Sequence, residues 1–285
     1  IYALYMDEKH TTLATIDEQS KAKADLEFTD ETGVTHRLWI ETDEEIIAKL
    51  VADFADRKLY IADGHHRYET ALNYRNYCRE NGISKPGDPQ DFQMIYLVDM
   101  EHPGLVVFPT HRLVRDLPNF DKEAVLEKCS EFFYIDEKEG TDTMEEDLKK
   151  LYDEGKKAFG FYCGKGEWFL LTLKNIDFMS QMLPNVSKAS QSLDVSVLHT
   201  LILEKIFGID KENMAKQINL TYTKFFTEAI DGVDKGEFQC SFVLNPTRVT
   251  EIRDVAAAGE KMPQKSTYFY PKMITGMVMN NLGVD

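Results

Sequence analysis

The sequence predicts a mixed fold of the α/β (α+β) class, and three observations lead to this prediction. Apolar, β-prone stretches alternate with stretches whose apolar residues recur every three or four positions. The order strand, helix, strand, helix over residues 1–79 is typical of an α/β core. Between residues 158 and 173, two apolar runs flank a glycine-rich turn at 163–167, which predicts a β-hairpin.

The first part of the chain is organised around a strand, a tight turn and a helix. Residues 59–62 are apolar and β-prone, Asp63-Gly64 interrupts them, and helical spacing follows from His65 to about residue 79. Earlier residues predict a strand at 1–5, a short helix within 9–24, a hairpin over 25–40, and a helix that the capping-box pattern Thr42-Asp43-Glu44-Glu45 opens and that ends near 54.

The remaining elements follow from the same two periodicities. Strands are predicted at 92–99, 105–108, 219–223 and 239–244, helices at 119–133, 141–152, 193–207, 227–235 and 245–258, and a further apolar segment at 273–282. We expect two tightly joined lobes, 1–115 and 116–285, although no linker-like composition marks a boundary between 113 and 119.

Composition excludes several functional classes. The chain has 285 residues, 43% of them hydrophobic, and a formal net charge of −16. Such an acidic chain is a poor general ligand for nucleic acids or anionic membranes, because both interactions depend on basic surface. The four cysteines are scattered without a paired motif, as in a reduced, cytoplasmic protein, and no apolar run approaches the ~20 residues of a membrane span.

The turn after Asp63 has the features of an anion site. A helix N-terminus exposes backbone N–H groups that favour an anion, and Gly64 allows a ligand to approach the backbone. Arg67 can hold phosphate oxygens with two hydrogen bonds, and His65 or His66 can donate hydrogen bonds or move a proton. Asp63 has the wrong charge for phosphate, so we expect it to hold Mg²⁺ or to act as a base. The alternative is that Asp63 only caps the helix and that the basic side chains are solvated.

Two later segments repeat this chemistry. Pro109-Thr110-His111-Arg112 follows a predicted strand, and the ends of strands in open α/β sheets are where ligands bind. The alternative is a surface turn with a solvated arginine. Residues 261–267 combine Lys261 and Lys265 with Ser266 and Thr267, which suits phosphate or Mg²⁺, although the glycine spacing of a Walker loop is missing. The alternative is a solvated basic loop ahead of the aromatic residues 268–270.

These motifs resemble a known family. The run Asp63-Gly64-His65-His66-Arg67 is similar to the phosphate-binding box of the ParB/sulfiredoxin-like superfamily, which includes CTP-binding ParB proteins, ATP-using sulfiredoxin and free serine kinases. Residues 61–71, 109–112, 194–199 and 259–271 together resemble the family called domain of unknown function 1015. The resemblance gives Asp194 and His199 a place in a family motif, whereas His199 by its position alone is typical of a satisfied buried histidine.

The resemblance also implies a function. Relatives carry a long N-terminal portion with a His-Glu motif that this sequence lacks, so catalytic groups are expected to lie there. We expect a ParB-like core in 1–115 and a small-molecule phosphotransferase, with serine as the best acceptor and ATP, ADP or pyrophosphate with Mg²⁺ as donor. The alternative is a nucleotide- or phosphate-binding regulatory module without catalysis.

The candidate residues group by expected role. The expected partner is a small-molecule substrate, not nucleic acid or a membrane, and the oligomeric state stays open. The catalytic candidates are Asp63, His65 and His66, the metal candidate is Asp63, and the cofactor-binding candidates are Gly64, Arg67, His111, Arg112, Lys261, Lys265 and Ser266.

Overall fold

A computed structural model describes residues 1–272, 274 and 276–280. These residues form two compact units: Ile1–Leu105 with the described residues after Tyr270, and Val106–Tyr270. The mixed α/β class is confirmed, because each unit contains both helices and sheets. The units differ from the predicted lobes 1–115 and 116–285, because the strand His111–Val114 pairs within the sheet of the second unit. The ParB-like character of the first lobe stays a prediction.

The first unit is built on a three-stranded sheet with a separate hairpin. The sheet has the order β4-β1-β5, with β1 antiparallel to β4 and parallel to β5, while β2 and β3 form the predicted hairpin. Its strands are β1 (Tyr2–Tyr5), β2 (Leu26–Thr29), β3 (Thr35–Leu38), β4 (Tyr60–Asp63) and β5 (Tyr96–Asp99), and its helices are α1 (Thr11–Gln19), α2 (Glu44–Phe54) and α3 (His65–Glu80), followed by a 3-10 turn at Pro89–Asp91.

Helix α2 begins and packs differently from the expectation. Its N-cap is Asp43, whose carboxylate accepts hydrogen bonds from the backbone N–H groups of Glu45 at 2.8 Å and Ile46 at 3.3 Å, so Thr42 is not the cap. None of its described residues is buried, although the apolar spacing predicts a buried stripe. Periodicity therefore identified the helix but not the extent to which its apolar face is covered.

The second unit is built on a six-stranded sheet of order β11-β7-β12-β9-β10-β8, in which every neighbouring pair is antiparallel. A two-stranded sheet joins β6 to β13. The strands are β6 (Val106–Phe108), β7 (His111–Val114), β8 (Phe133–Glu139), β9 (Ala158–Gly164), β10 (Glu167–Leu173), β11 (Leu220–Thr223), β12 (Cys240–Val243) and β13 (Tyr268–Tyr270). The helices are α4 (Lys122–Cys129), α5 (Met144–Asp153), α6 (Asp177–Met182), α7 (Lys188–Gln191), α8 (Asp194–Val197), α9 (Lys211–Lys216), α10 (Phe226–Asp234) and α11 (Val249–Ala257), with a π-helix at Leu198–Glu204 between α8 and α9.

Alternation along the strands gives this sheet two apolar faces. Phe161 and Phe242 are register partners whose rings stack at 4.9 Å in one cluster, which also contains the buried face of the π-helix. The adjacent Tyr162 belongs to the other cluster, together with Trp168 and with Met144 of α5. Because successive side chains of a strand point to opposite faces, one sheet supports a core on each side.

Two sequence expectations change here. The helix expected over 193–207 is α8 continued by the π-helix, and β13 occupies residues 268–270, where no strand was predicted. The segment 273–282 lies partly outside the described residues. None of the helices in the described ranges combines the length and apolar character that crossing a bilayer requires.

A partly buried ion pair lies in the first unit, and its removal is a testable change. Asp7 is 1% exposed, accepts hydrogen bonds from the backbone N–H groups of Thr11, Thr12 and Leu13, and pairs with Arg57 at 2.8 Å. We expect Asp7→Asn to lower the free energy of unfolding by about 3 kcal/mol, because it leaves a guanidinium without its counter-charge. Chemical denaturation measures this difference.

The same variant has a matched control and a pH signature. Burial alone would raise the pKa of Asp7, but the backbone hydrogen bonds and Arg57 outweigh it and hold the pKa below its usual value. The stabilisation is therefore present at pH values above the ordinary pKa of aspartate and is lost as the pH falls through the lowered pKa of Asp7.

Glu27→Gln is the matched control. It breaks the exposed pair with Arg37 and should leave stability unchanged. Equal effects of the two variants would contradict the assignment.

Candidate functional site

The strand, turn and helix predicted around Gly64 are present. Strand β4 ends at Asp63, Gly64 is the N-cap residue of α3 with φ 92°, and the backbone N–H of Tyr68 donates to the Gly64 carbonyl at 2.9 Å. A left-handed residue directly before a helix turns successive N–H groups toward one point, which makes a concave anion site. The turn and helix N-terminus on which the predicted anion site depends are therefore present, and binding of a phosphate there stays a prediction.

Asp63 lies between two cations at this turn. Its Oδ2 is 3.5 Å from Nη2 of Arg67 and 3.2 Å from Nζ of Lys272. The side chain of Arg67 is 65% exposed and folds back over Gly64, where a Cβ atom would lie 2.9 Å from its Nη2. The positive φ favours glycine here, and a Cβ atom at this position would also make the exposed guanidinium of Arg67 shift.

The two histidines differ in their surroundings. His65 is half-buried at the first position of α3, whereas the side chain of His66 is fully exposed, with its Nδ1 3.6 Å from Oε2 of Glu69. At that distance the contact with Glu69 is electrostatic rather than a hydrogen bond. Their catalytic roles stay predictions.

Asp63 is the predicted metal ligand, and the structure limits how it could bind. Within the described ranges, no three His, Cys, Asp or Glu side chains gather as a ready ligand set. Mg²⁺ is commonly bound by one or two carboxylates together with substrate phosphates and water. A magnesium ion would therefore need oxygen atoms from the donor as well as Asp63.

Lys272 is the residue of this site that sequence reasoning missed. It follows the aromatic run 268–270 and a proline, and it lies outside the loop whose lysines were singled out. The only sequence signal was its charge in an acidic chain, because no local spacing connects residues 209 positions apart.

The first unit also contains an open cleft of about 560 Å³ that does not include the turn. Its charged lining residues are Glu8, Asp53 and Asp56 against Lys9, Arg57 and Lys58. Because these charges offset one another, the cleft has less reason to attract an anion than the Gly64 turn.

The positional argument for His111 and Arg112 is wrong. The pair follows β6 as expected, but the two residues open β7 in the middle of an antiparallel sheet, where they are 1% and 0% exposed. Ligands collect at the ends of strands in parallel α/β sheets, and an antiparallel sheet has no such common edge. The alternative of a solvated surface turn is equally excluded, whereas a binding role for either residue stays a prediction.

His111 is a buried, neutral histidine. Its Nδ1 accepts a hydrogen bond from the backbone N–H of Leu244 at 3.2 Å, and its buried Nε2 has no hydrogen-bond partner among the described residues. Burial, with a smaller contribution from Arg112, lowers the pKa of His111 to about 4. It is therefore uncharged at neutral pH and cannot attract an anion by its charge.

Arg112, His199 and Lys265 come together in the second unit. Nη2 of Arg112 donates to Nε2 of His199 and to the backbone carbonyl of Lys265, each at 3.0 Å. Because a guanidinium only donates, His199 must accept at Nε2 and carry its proton on Nδ1. Burial, followed by the charge of Arg112, keeps the pKa of His199 well below its usual value, so the histidine is neutral.

The remaining candidates have different surroundings. Asp194 does not pair with His199; it pairs with Lys157 at 2.8 Å, and Lys157 also contacts Glu251 at 3.0 Å. Burial raises the pKa of Asp194, and Lys157 opposes that rise. Lys261 is exposed, and Ser266 is buried with its carbonyl accepting from the hydroxyl of Thr247 at 2.9 Å. Their predicted contacts with a phosphate stay predictions.

Comparison with known proteins places the chain in a family. Among solved structures, it is similar to a conserved hypothetical protein from Pyrococcus furiosus, with 19% identity, coverage of 74% of this chain and 70% of that chain, and a TM-score of 0.39. It is also similar to free serine kinase in complex with AMP and to a variant of that enzyme in complex with ADP, each with 14% identity, coverage of 94% and 83%, and a TM-score of 0.40. No curated protein matches the chain significantly. The model of the family described as "Protein of unknown function (DUF1015)" matches residues 1–196, more than half of the chain, and the protein therefore belongs to the DUF1015 family.

Proposed function

We propose that the protein is a small-molecule phosphotransferase whose phosphoryl donor binds at the turn Gly64–Arg67. The observation that carries the proposal is the position of the Arg67 guanidinium, folded over a left-handed glycine at the N-terminus of α3. The backbone N–H groups at the start of α3 would donate hydrogen bonds to a phosphate, which the helix dipole also favours. The exposed guanidinium would bind the same phosphate through paired hydrogen bonds.

Asp63 supports transfer rather than binding alone. A carboxylate weakens the attraction of a site for phosphate, yet Asp63 lies within 3.5 Å of both cations at the turn. When a donor takes over Arg67 and Lys272, Asp63 becomes available to hold Mg²⁺ or to orient the acceptor hydroxyl. Phosphoryl transfer depends mainly on positioning and on charge stabilisation, and this residue set supplies both.

The donor and acceptor rest on chemistry and on the sequence resemblance. ATP, ADP and pyrophosphate all present the terminal phosphates that the turn would hold, with Mg²⁺ between them and Asp63. Serine, or another small hydroxyl compound, is the acceptor that the resemblance to free serine kinases favours. Incubation with Mg²⁺, serine and each donor in turn should produce phosphoserine with at least one of them, and no product from folded protein with any donor would count against the proposal.

The second candidate function is a phosphate- or nucleotide-binding regulatory module. The ion pairs of Asp63 with Arg67 and Lys272 favour it, because they give the carboxylate a role without catalysis. Nucleotide binding in a thermal-shift screen without turnover would identify this module.

Arg67→Ala should weaken binding of the donor by about 1.5–3 kcal/mol, roughly ten- to a hundredfold, because it removes a charge-assisted contact with two hydrogen bonds. Arg67→Lys should recover only part of the loss, since an ammonium cannot donate the two parallel hydrogen bonds of a guanidinium. Melting temperature should barely change, because the pair with Asp63 is exposed. Titration calorimetry with each donor measures the effect.

Arg75→Ala is the matched control, because Arg75 lies about two turns further along α3 and donates to the side chain of Asn76. It should bind the donor like the parent. Unchanged affinity in Arg67→Ala, or an equal loss in both variants, would remove the turn as the binding site.

Asp63→Asn separates binding from catalysis. Removal of the carboxylate should strengthen metal-free binding of pyrophosphate, because the negative side chain that contacts Arg67 becomes neutral. Phosphoryl transfer should fall to background if Asp63 holds the metal or orients the acceptor. A variant with parental transfer activity would show that Asp63 has neither role.

Gly64→Ala tests the geometry of the turn itself. The change should cost about 1–2 kcal/mol of stability, because an alanine is strained in the left-handed region. It should also reduce donor affinity, because its Cβ would displace the guanidinium of Arg67. Gly82→Ala, at φ 67° with no atom within 4 Å of the added Cβ, should show the same strain with unchanged affinity. Parental affinity in Gly64→Ala would contradict this geometry.

A further inference from the structure

Arg112 is an unusual residue because its guanidinium is completely buried and its partners are neutral. The side chain is 0% exposed and lies with its guanidinium carbon 5.2 Å from the centre of the Tyr222 ring. It donates to the carbonyls of Thr110 and Lys265 and to His199, while its buried Nε has no hydrogen-bond partner among the described residues.

This guanidinium keeps its positive charge. Burial lowers the pKa of Arg112 to about 10, which still leaves it protonated at neutral pH. A buried ion loses several kcal/mol of hydration free energy, and a counter-charge is the usual compensation. Carbonyl and imidazole dipoles compensate only in part.

Two partly buried cations of the described chain do have counter-charges. Arg57 pairs with Asp7 at 2.8 Å, and Lys157 pairs with both Asp194 and Glu251. Within the described part of the chain, Arg112 has no carboxylate in ion-pair contact. A structural explanation that suits Arg57 and Lys157 therefore does not extend to Arg112.

Two backbone features lie at the same place. Lys265, whose carbonyl accepts from Arg112, has φ 55°, a left-handed conformation that is strained for a residue with a side chain. His199 lies in the first turn of a π-helix, a form that is rare in proteins and frequent at functional sites. Residues 259–267 have no helix or strand and are held near both ends, where the Glu260 carboxylate accepts from Ser187 and Ser190 and the Ser266 carbonyl accepts from Thr247. The contact with Arg112 holds them at Lys265.

We propose that Arg112 is the receptor for a small oxyanion group, a phosphate or a carboxylate, in a site that residues 259–267 close. In the free protein, the Lys265 carbonyl and His199 Nε2 hold the guanidinium. On binding, an oxygen of the anion replaces the Lys265 carbonyl at Nη2, and a second oxygen accepts from Nε. These two nitrogens form one edge of the guanidinium, which matches the two oxygens of a carboxylate or phosphate. The site lies in the second unit and is independent of the function proposed for Gly64–Arg67.

Hydrogen–deuterium exchange of the whole chain tests the proposal without a change at Arg112. Inorganic phosphate and acetate are titrated separately, with chloride at equal ionic strength as control. Loss of the hydrogen bond between Arg112 and the Lys265 carbonyl should accelerate amide exchange in residues 259–267. The exchange rate should reach a plateau as the concentration of phosphate or acetate rises, and the anion that is effective at the lower concentration identifies the ligand class. The Arg67→Ala variant should respond like the parent, because it leaves Arg112 intact.

Three results would overturn the proposal. They are no change in residues 259–267 with either oxyanion, an equal change with chloride, and a change that disappears in Arg67→Ala. Arg112→Lys supplies a further check, because it keeps the positive charge and removes the paired N–H donors of the guanidinium. A folded Arg112→Lys protein should lose the response, and an unaltered response would refute the assignment.

Discussion

The candidate phosphate site depends on the pairing of β1 with its two neighbours. All four residues of β1 are buried, and this strand holds β4 antiparallel on one side and β5 parallel on the other. The register places Asp63 opposite Tyr2, at the point where Gly64 turns the chain into α3. A slip of one residue would move Asp63 to the other face of the sheet. Backbone pairing, rather than helix packing, therefore positions the turn, since Cys78 is the only residue of α3 that is buried.

Arg67 and Arg112 show how burial changes the energetic effect of the contacts that an arginine makes. The side chain of Arg67 is 65% exposed, so water screens its pair with Asp63 and the guanidinium can exchange partners at little cost. Arg112 has no exposed surface, so each hydrogen bond that it makes or lacks has a larger energetic effect. In a chain with a net charge of −16, both residues concentrate positive charge locally, one at the surface and one in the interior. The first suits a ligand that exchanges rapidly, and the second suits one that enters only after residues 259–267 move.

In the function that we propose, Asp63 decides between phosphoryl transfer and simple binding at the Gly64 turn. A turn that only held phosphate would gain from Arg67 and from the helix N-terminus, and would lose affinity through a carboxylate beside them. The same carboxylate is useful when a divalent cation has to be held against the phosphate. The balance between these effects distinguishes a transferase from a binding module at the level of one side chain.

Local patterns in the sequence determined much of this protein. The strand, turn and helix around Gly64 and the β9–β10 hairpin were predictable, because turn residues and periodicity act over a few neighbouring positions. Local chemistry at Gly64 also predicted an anion site that includes Arg67, and this site stays a prediction. Only the tertiary structure decided that Lys272 reaches Asp63 from 209 positions away, and that no residue of α2 is fully buried. It also decided that His111 and Arg112 are buried in β7, between β11 and β12, rather than placed at a ligand-binding edge. Strand partners, register and ion pairs of this kind depend on contacts between distant segments, and a pattern read over a few residues contains no information about them.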